Sequence, residues 1–408
     1  VAVFWKTLLA PVLFLVVFNP YTIYGKPGVV VGMLFLLVGF VNGSYKLVLN
    51  NYLIPVFLVL LISLWGVLVS YLNDIGQFDF FYSALSFVVF IFTACGIVDF
   101  LIRKKVNFDG FALLLLYVLI FNSVFILLEV LIPSVRDVTE SFLAPAGNID
   151  WTQGIRYRGL AASGGSGLSV CCTLGVIIGL DLYRSKKIGI IFFLLSLFTF
   201  LISVLFIGRT GLVFFPVAIS FYFGYLVLVG QIRVSGILLG VAVLVVVVMI
   251  FVLFYEVFYE YVYSNFGQGF INYSFGFLLQ GEEGLKEEGT ASVIFQFMTV
   301  LPLGFPEAFI GVGFYGGSDF TPWTDSGYAR VMLSVGFILG VVYYLSILRI
   351  YLKGVVERQA LIFTALFVLM LAEIKGSFLF SAYGARAIIL LIVFLQINNY
   401  YQKRLAAA

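Results

Sequence analysis

The sequence predicts an all-α polytopic membrane protein, and three observations carry that prediction. Of its 408 residues, 62% are hydrophobic and only 11% charged, far more apolar than the roughly 45–50% expected of a soluble domain. The apolar residues fall in runs of the length a bilayer demands, about 20 residues for a hydrocarbon layer roughly 30 Å thick that offers the backbone no hydrogen-bond partner. Basic residues recur at every second loop, the pattern of a chain that crosses a membrane repeatedly.

Hydropathy places about twelve spans, near 5–22, 28–43, 50–72, 82–102, 110–132, 161–182, 188–207, 211–229, 234–255, 327–351, 359–374 and 384–401. Lys46, the Arg103-Lys104-Lys105 cluster, Arg184 with Lys186 and Lys187, Arg233, Arg349 with Lys353 and Arg358, and Lys403-Arg404 then share one side. By the positive-inside rule that side is cytoplasmic, and Lys6 ahead of the first span puts both termini there. The first span has no small-residue cleavage site after it and reads as retained. Two long segments face outward. The chain thus divides into N-terminal spans (1–132), a first long outer loop (133–160), central spans (161–255), a second long outer loop (256–326) and C-terminal spans (327–404), with the final alanines set aside.

Composition also narrows the chemistry. The net charge of +3 is small and dispersed, which offers no surface for nucleic acid. The sequence has no histidine, the commonest metal ligand and near-neutral base, so chemistry falls to carboxylates, hydroxyls, Arg and Lys, and no metal site is expected. Cys95, Cys171 and Cys172 lie in apolar stretches without metal-ligand spacing and read as small packing residues.

The informative charges are the basic ones on the acidic side. Arg156, Arg158, Arg209, Arg330, Lys375 and Arg386 map to outer loops or outer span ends, where an unpaired charge held at depth costs roughly 2.5 kcal/mol or more. Each has a plain explanation, an acidic neighbour or a side chain that snorkels to water. As a set they point to an anion, because the guanidinium fork matches phosphate oxygens and keeps its proton.

Three segments sharpen this. Residues 154–169, GIRYRGLAASGGSGLS, set two arginines before a small-residue run that opens an apolar span. Such a start permits close backbone approach and presents N–H groups, although small residues also serve ordinary helix packing. GRTGL at 208–212 is a short outer turn that leaves Arg209 little slack. Residues 310–345 form a glycine-rich outer segment with Asp319 and Asp325 running into a span. Asp325 is either the N-cap of that helix or a carboxylate placed to take a proton from a sugar hydroxyl.

These residues together resemble the O-antigen polymerase (Wzy) family and the related O-antigen ligases. The likeness rests on Arg156-x-x-Gly159-Leu160, the Arg156-x10-Gly167 spacing, the Arg209-Thr210-Gly211-Leu212 turn, and Asp325-Ser326-x-Tyr328 ahead of a helix with Gly336 and Gly340. The resemblance implies a GT-C-like inverting glycosyltransferase of a bacterial inner membrane, with periplasmic long loops. Its donor and acceptor would be undecaprenyl-pyrophosphate-linked oligosaccharides, with no cofactor. It also leaves room for a chain-length regulator protein as partner.

The ligases carry a histidine where this chain has Asp325, which favours polymerase. A second Arg-x10-Gly spacing is missing, since Lys286 meets Phe297 at that distance, so Arg330 inherits no role.

The expected mechanism sets Asp325 to orient or deprotonate the acceptor while Arg156, Arg158 and Arg209 stabilise the departing pyrophosphate. Lys375 and Arg386 would hold a second pyrophosphate, with Gly159, Gly167 and Tyr328 lining the site. Tyr259, Tyr261, Tyr263, Tyr273 and Trp323 offer flat faces for sugars, but aromatic residues also gather at membrane interfaces without a catalytic role. A ligase, or a lipid-linked oligosaccharide flippase using Asp99 or Glu129, is the alternative. For the flippase reading the polar groups stand at the wrong depth, since transporters keep them near the midplane.

Overall fold

The computed structural model describes residues 2–143, 157–208, 210–232, 260, 264, 301, 304–316, 324–353, 355–380 and 382–407. Thirteen helices are described: α1 (Ala2–Phe18), α2 (Pro27–Val41), α3 (Tyr45–Leu72), α4 (Asp79–Arg103), α5 (Phe108–Leu131), α6 (Pro133–Phe142), α7 (Ser166–Arg184), α8 (Ile190–Ile207), α9 (Thr210–Leu228), the single turn α10 (Glu307–Ile310), α11 (Gly327–Leu352), α12 (Gln359–Ala372) and α13 (Tyr383–Ala407). Eight are long and apolar enough to cross a membrane, and Leu9–Phe18, Pro27–Val41 and Gln359–Ala372 are shorter apolar helices. The chain is a polytopic membrane protein. Eleven of the twelve expected spans coincide with a helix; the one at 234–255 lies outside the described residues, as does most of the loop at 256–326.

A helix satisfies its backbone within itself, so an apolar exterior meets lipid without cost. The α8 face with Leu194, Leu195 and Phe198 exposed is such an exterior. Inside, α7 and α13 are the most enclosed, and α7 packs on α5, α8, α9, α12 and α13. The three cysteines are buried and unpaired, serving as packing residues.

The basic loops gather at one end. Arg358 bonds Asp181 (3.0 Å) and Asp109, Lys187 reaches Asp109 (3.0 Å), and Tyr222 donates to Asp181 (2.9 Å). Asp99, one turn before the end of α4, is 1% exposed and tied to Arg103 (2.9 Å) and to the Tyr401 hydroxyl (2.6 Å). Buried carboxylates here hold helices together. From this basic end α9 runs out at Leu228, and the described chain returns at the opposite end, where Trp65 Nε1 donates to Ile310 O (3.1 Å).

One expected span is not a straight rod. Gly336 inside α11 has φ 81° and ψ 171°, and the helix turns back there. The Tyr328 and Tyr344 ring centroids lie 4.8 Å apart, whereas sixteen residues of straight helix would separate them by about 24 Å. Gly340 likewise faces Met332. Both pairs are symmetric about Gly336, so residues 327–335 and 337–352 form an antiparallel hairpin. Only glycine suits this apex: its φ is positive, and a Cβ would stand 2.2 Å from Phe309 O. The hairpin's first arm begins inside the bundle, with Thr324 and Ser326 buried. A strap at 312–316 binds the arm's far end, through Val312 N–H to Leu333 O (2.7 Å) and Ser334 Oγ–H to Phe314 O (3.0 Å).

The first long outer loop opens with a helix, α6, which the sequence reading took as part of the loop. Its end pairs with the α1–α2 turn through the Thr22–Leu143 bridge.

Candidate functional site

At the end opposite the basic loops, three distant segments converge: residues 157–167 leading into α7, the start of α9, and the turn 373–382 between α12 and α13. The organiser of this convergence is Glu373, which the sequence reading overlooked. It is fully buried, and its two oxygens accept from Tyr344 O–H, Phe378 N–H and Leu379 N–H, each at 2.7 Å. Its carbonyl accepts the Gly327 N–H (2.8 Å), so the start of the hairpin abuts the same turn. A carboxylate so placed fixes the direction of the chain that carries Lys375 and Ser377.

Between α7 and α13 lies a cavity of about 330 Å³, lined by Asn19, Ser163, Gly167, Ser377, Tyr383 and Arg386 among others. Ser163 is exposed, which opens the cavity to the exterior. Arg386 donates from Nη1 to Val17 O (3.3 Å), a terminal carbonyl of α1, and stands over the Phe90 ring (5.8 Å). A cation at a helix C-terminus is favourably placed. Among the described residues Arg386 has no acidic partner. Lys375, two residues before the lining residue Ser377, donates to Thr210 Oγ1 (2.9 Å) at the start of α9.

Of the residues expected to act, Gly167 and Arg386 come together in this cavity, and Lys375 stands beside it. Arg156, Arg209, Asp319, Trp323 and the tyrosines at 259–273 lie outside the described residues. Their flanking positions are informative: Tyr157 N–H donates to Phe206 O (3.0 Å), Gly208 abuts Gly165, and Thr210 holds Lys375.

Arg158 has a different place from the one expected. It is 1% exposed and pairs in a fork with Glu140 of α6, Nε at 3.1 Å and Nη2 at 2.5 Å, while Nη1 donates to Ala162 O (3.3 Å). It tethers α6 to the 158–162 turn instead of lining the cavity. Gly159 and Leu160 complete that turn, donating to Glu129 (3.2 Å) and to Asn122 Oδ1 (3.1 Å) of α5. Glu129 is therefore buried and holds this turn near the end of α5. Arg158 is buried but Glu140 is 27% exposed, so water compensates part of the loss and removing Arg158 alone should cost less than the roughly 3–5 kcal/mol of a fully buried pair. Arg158→Met should lower the melting midpoint in detergent, and Arg158→Met with Glu140→Leu should recover most of the loss. Equal midpoints for the single and double variants would contradict the tether.

Asp325 also needs correction. The N-cap of α11 is Ser326, whose Oγ accepts the Ala329 N–H (3.3 Å). Asp325 instead meets Arg330 (Oδ1 to Nη2, 3.3 Å), and Arg330 Nε donates to Thr324 O (2.9 Å). Arg330, given no role from sequence, holds the carboxylate in place. Tyr328 donates to Met370 O (3.0 Å) and packs on Tyr344, which makes it a staple of the hairpin. Asp325 is not among the residues lining the cavity; it comes two residues before Gly327, whose N–H bonds the Glu373 carbonyl of the neighbouring turn.

Residues missed by sequence reasoning are Ser163, Ser377, Tyr383, Asn19 and Glu373. The signal for Ser163 was present in the small-residue run, and for Ser377 and Tyr383 in the span-free stretch between Lys375 and Arg386. Their union depends on a contact 220 positions apart in the chain. Comparison of the chain with family models, with curated proteins and with solved structures finds no match.

Proposed function

We propose that this protein is a surface-polysaccharide polymerase of the O-antigen polymerase type. It joins undecaprenyl-pyrophosphate-linked repeat units at the periplasmic face of a bacterial inner membrane. The observation that carries this reading is the cavity holding Arg386, a cation without an acidic partner among the described residues, at the end away from the basic loops. Gly167, from one of the segments that carry the resemblance, lines it.

In this reading the acceptor's sugar hydroxyl attacks the anomeric carbon of the donor, and the bond from that carbon to the pyrophosphate oxygen breaks. The hydroxyl proton passes to Asp325, and the lipid pyrophosphate leaves as an anion. Fixed donors aimed at that developing charge lower the barrier because they need no reorganisation. Arg386 takes this role, with Lys375 beside it and Arg156 and Arg209 as further cations. Asp325, held by Arg330, orients the acceptor hydroxyl.

Purified protein with a lipid-linked repeat unit should yield a ladder of polymers. Transfer of one unit to a lipid A core would identify a ligase instead. Movement of intact substrate across vesicles without a new glycosidic bond would identify a flippase.

A further inference from the structure

Tyr383 lies one helical turn before Arg386, so the two share a face of α13 and both line the cavity. Its hydroxyl meets a single residue three times: it accepts the Ser163 N–H (2.6 Å), donates to Ser163 O (3.0 Å), and lies 2.8 Å from Ser163 Oγ. A phenol has one proton and two acceptor sites. With its proton on the carbonyl, both acceptor sites are taken by the serine, and nothing remains for a ligand. Tyr383 is itself buried, and its ring packs on Phe18 (5.8 Å), whose carbonyl accepts the Ala162 N–H (3.3 Å). The end of α1 therefore braces both walls, Arg386 through Val17 O and the 162–163 segment through Phe18 O.

We infer that Tyr383 is a positioning residue for the anionic group bound in the cavity. By clamping both main-chain groups of Ser163 it fixes the wall at 162–167 opposite Arg386 and so sets the width of the anion subsite. This inference rests on the proposed function for the identity of the physiological anion, a lipid-borne pyrophosphate. The width-setting role itself requires only that the cavity take a phosphate-class anion.

The test uses the full chain in detergent, titrated with inorganic pyrophosphate at constant ionic strength, with the melting midpoint as readout. Wild type should show a saturable rise. Arg386→Gln should abolish that rise. Tyr383→Phe, which keeps the ring and removes the clamp, should raise the half-saturating concentration about tenfold while lowering the unliganded midpoint only modestly, since Ser163 is exposed and water takes up its main-chain groups. In the transfer assay the same variant should raise KM for the lipid-linked donor and keep kcat.

A Tyr383→Phe protein that melts earlier yet saturates at the wild-type concentration would overturn the inference, because that is the mark of a merely structural bond. Absence of any saturable rise in wild type would overturn it as well. A preserved pyrophosphate response without any polymer product would sink the polymerase reading and leave the clamp standing.

Discussion

Glu373→Ala should leave the chain unable to hold its native bundle. The substitution strips Tyr344 O–H, Phe378 N–H and Leu379 N–H of their acceptor at a place with no access to water. Each buried donor left unsatisfied costs about 1–3 kcal/mol, and three together rival the roughly 5–15 kcal/mol net stability of a whole domain. Glu373→Gln should fall between, since one amide oxygen cannot replace two carboxylate oxygens and the amide N–H₂ faces other donors. Size-exclusion profiles and melting midpoints in detergent check both variants. A Glu373→Ala protein that stays monodisperse with a wild-type midpoint would show that the turn at 373–382 is held by something else.

The largest functional effect is expected at Arg386. Arg386→Gln keeps a donor for Val17 O, so the protein should accumulate in the membrane as wild type does. Loss of the guanidinium removes fixed positive charge from the leaving group, and removal of one such donor typically lowers turnover about 10²–10³-fold. Polymer yield per unit of membrane protein should therefore drop by at least about 100-fold. Lysine at this position should restore little, because a point charge lacks the planar fork that meets two oxygens at once. Wild-type polymer yield from Arg386→Gln would remove this residue from the mechanism.

The helices could be read from the chain because lipid imposes one demand everywhere, a long apolar run with its backbone internally satisfied. The alternation of the basic loops was equally plain, and the network around Arg358 gathers those near Asp109, Lys187 and Arg358 at one end. The hairpin at Gly336 could not be read the same way. Its two arms form one continuous apolar run, and hydropathy is blind to a reversal of direction. The short helix α6 escaped for the opposite reason, since its composition is mixed and its length is only ten residues.

The site was partly visible. Arg386 stands out as a cation on the acidic side, and Gly167 through the Arg156-x10-Gly167 spacing that carries the resemblance. Arg158 looks identical to Arg386 on those grounds, yet one is paired to Glu140 and the other has no acidic partner among the described residues. Sequence position alone cannot separate them, because the partner comes from a helix the hydropathy pattern did not report. Asp99 and Glu129, both close to span ends, are likewise buried by a contact from a distant segment, Tyr401 in one case and Gly159 in the other.

Imaging the full chain in a lipid nanodisc with a bound lipid-linked repeat unit tests the account most directly. The diphosphate should appear in the cavity between α7 and α13, within hydrogen-bonding distance of Arg386, with the sugar directed toward Asp325. A diphosphate seated anywhere else, with the cavity left out of contact with it, would contradict the account.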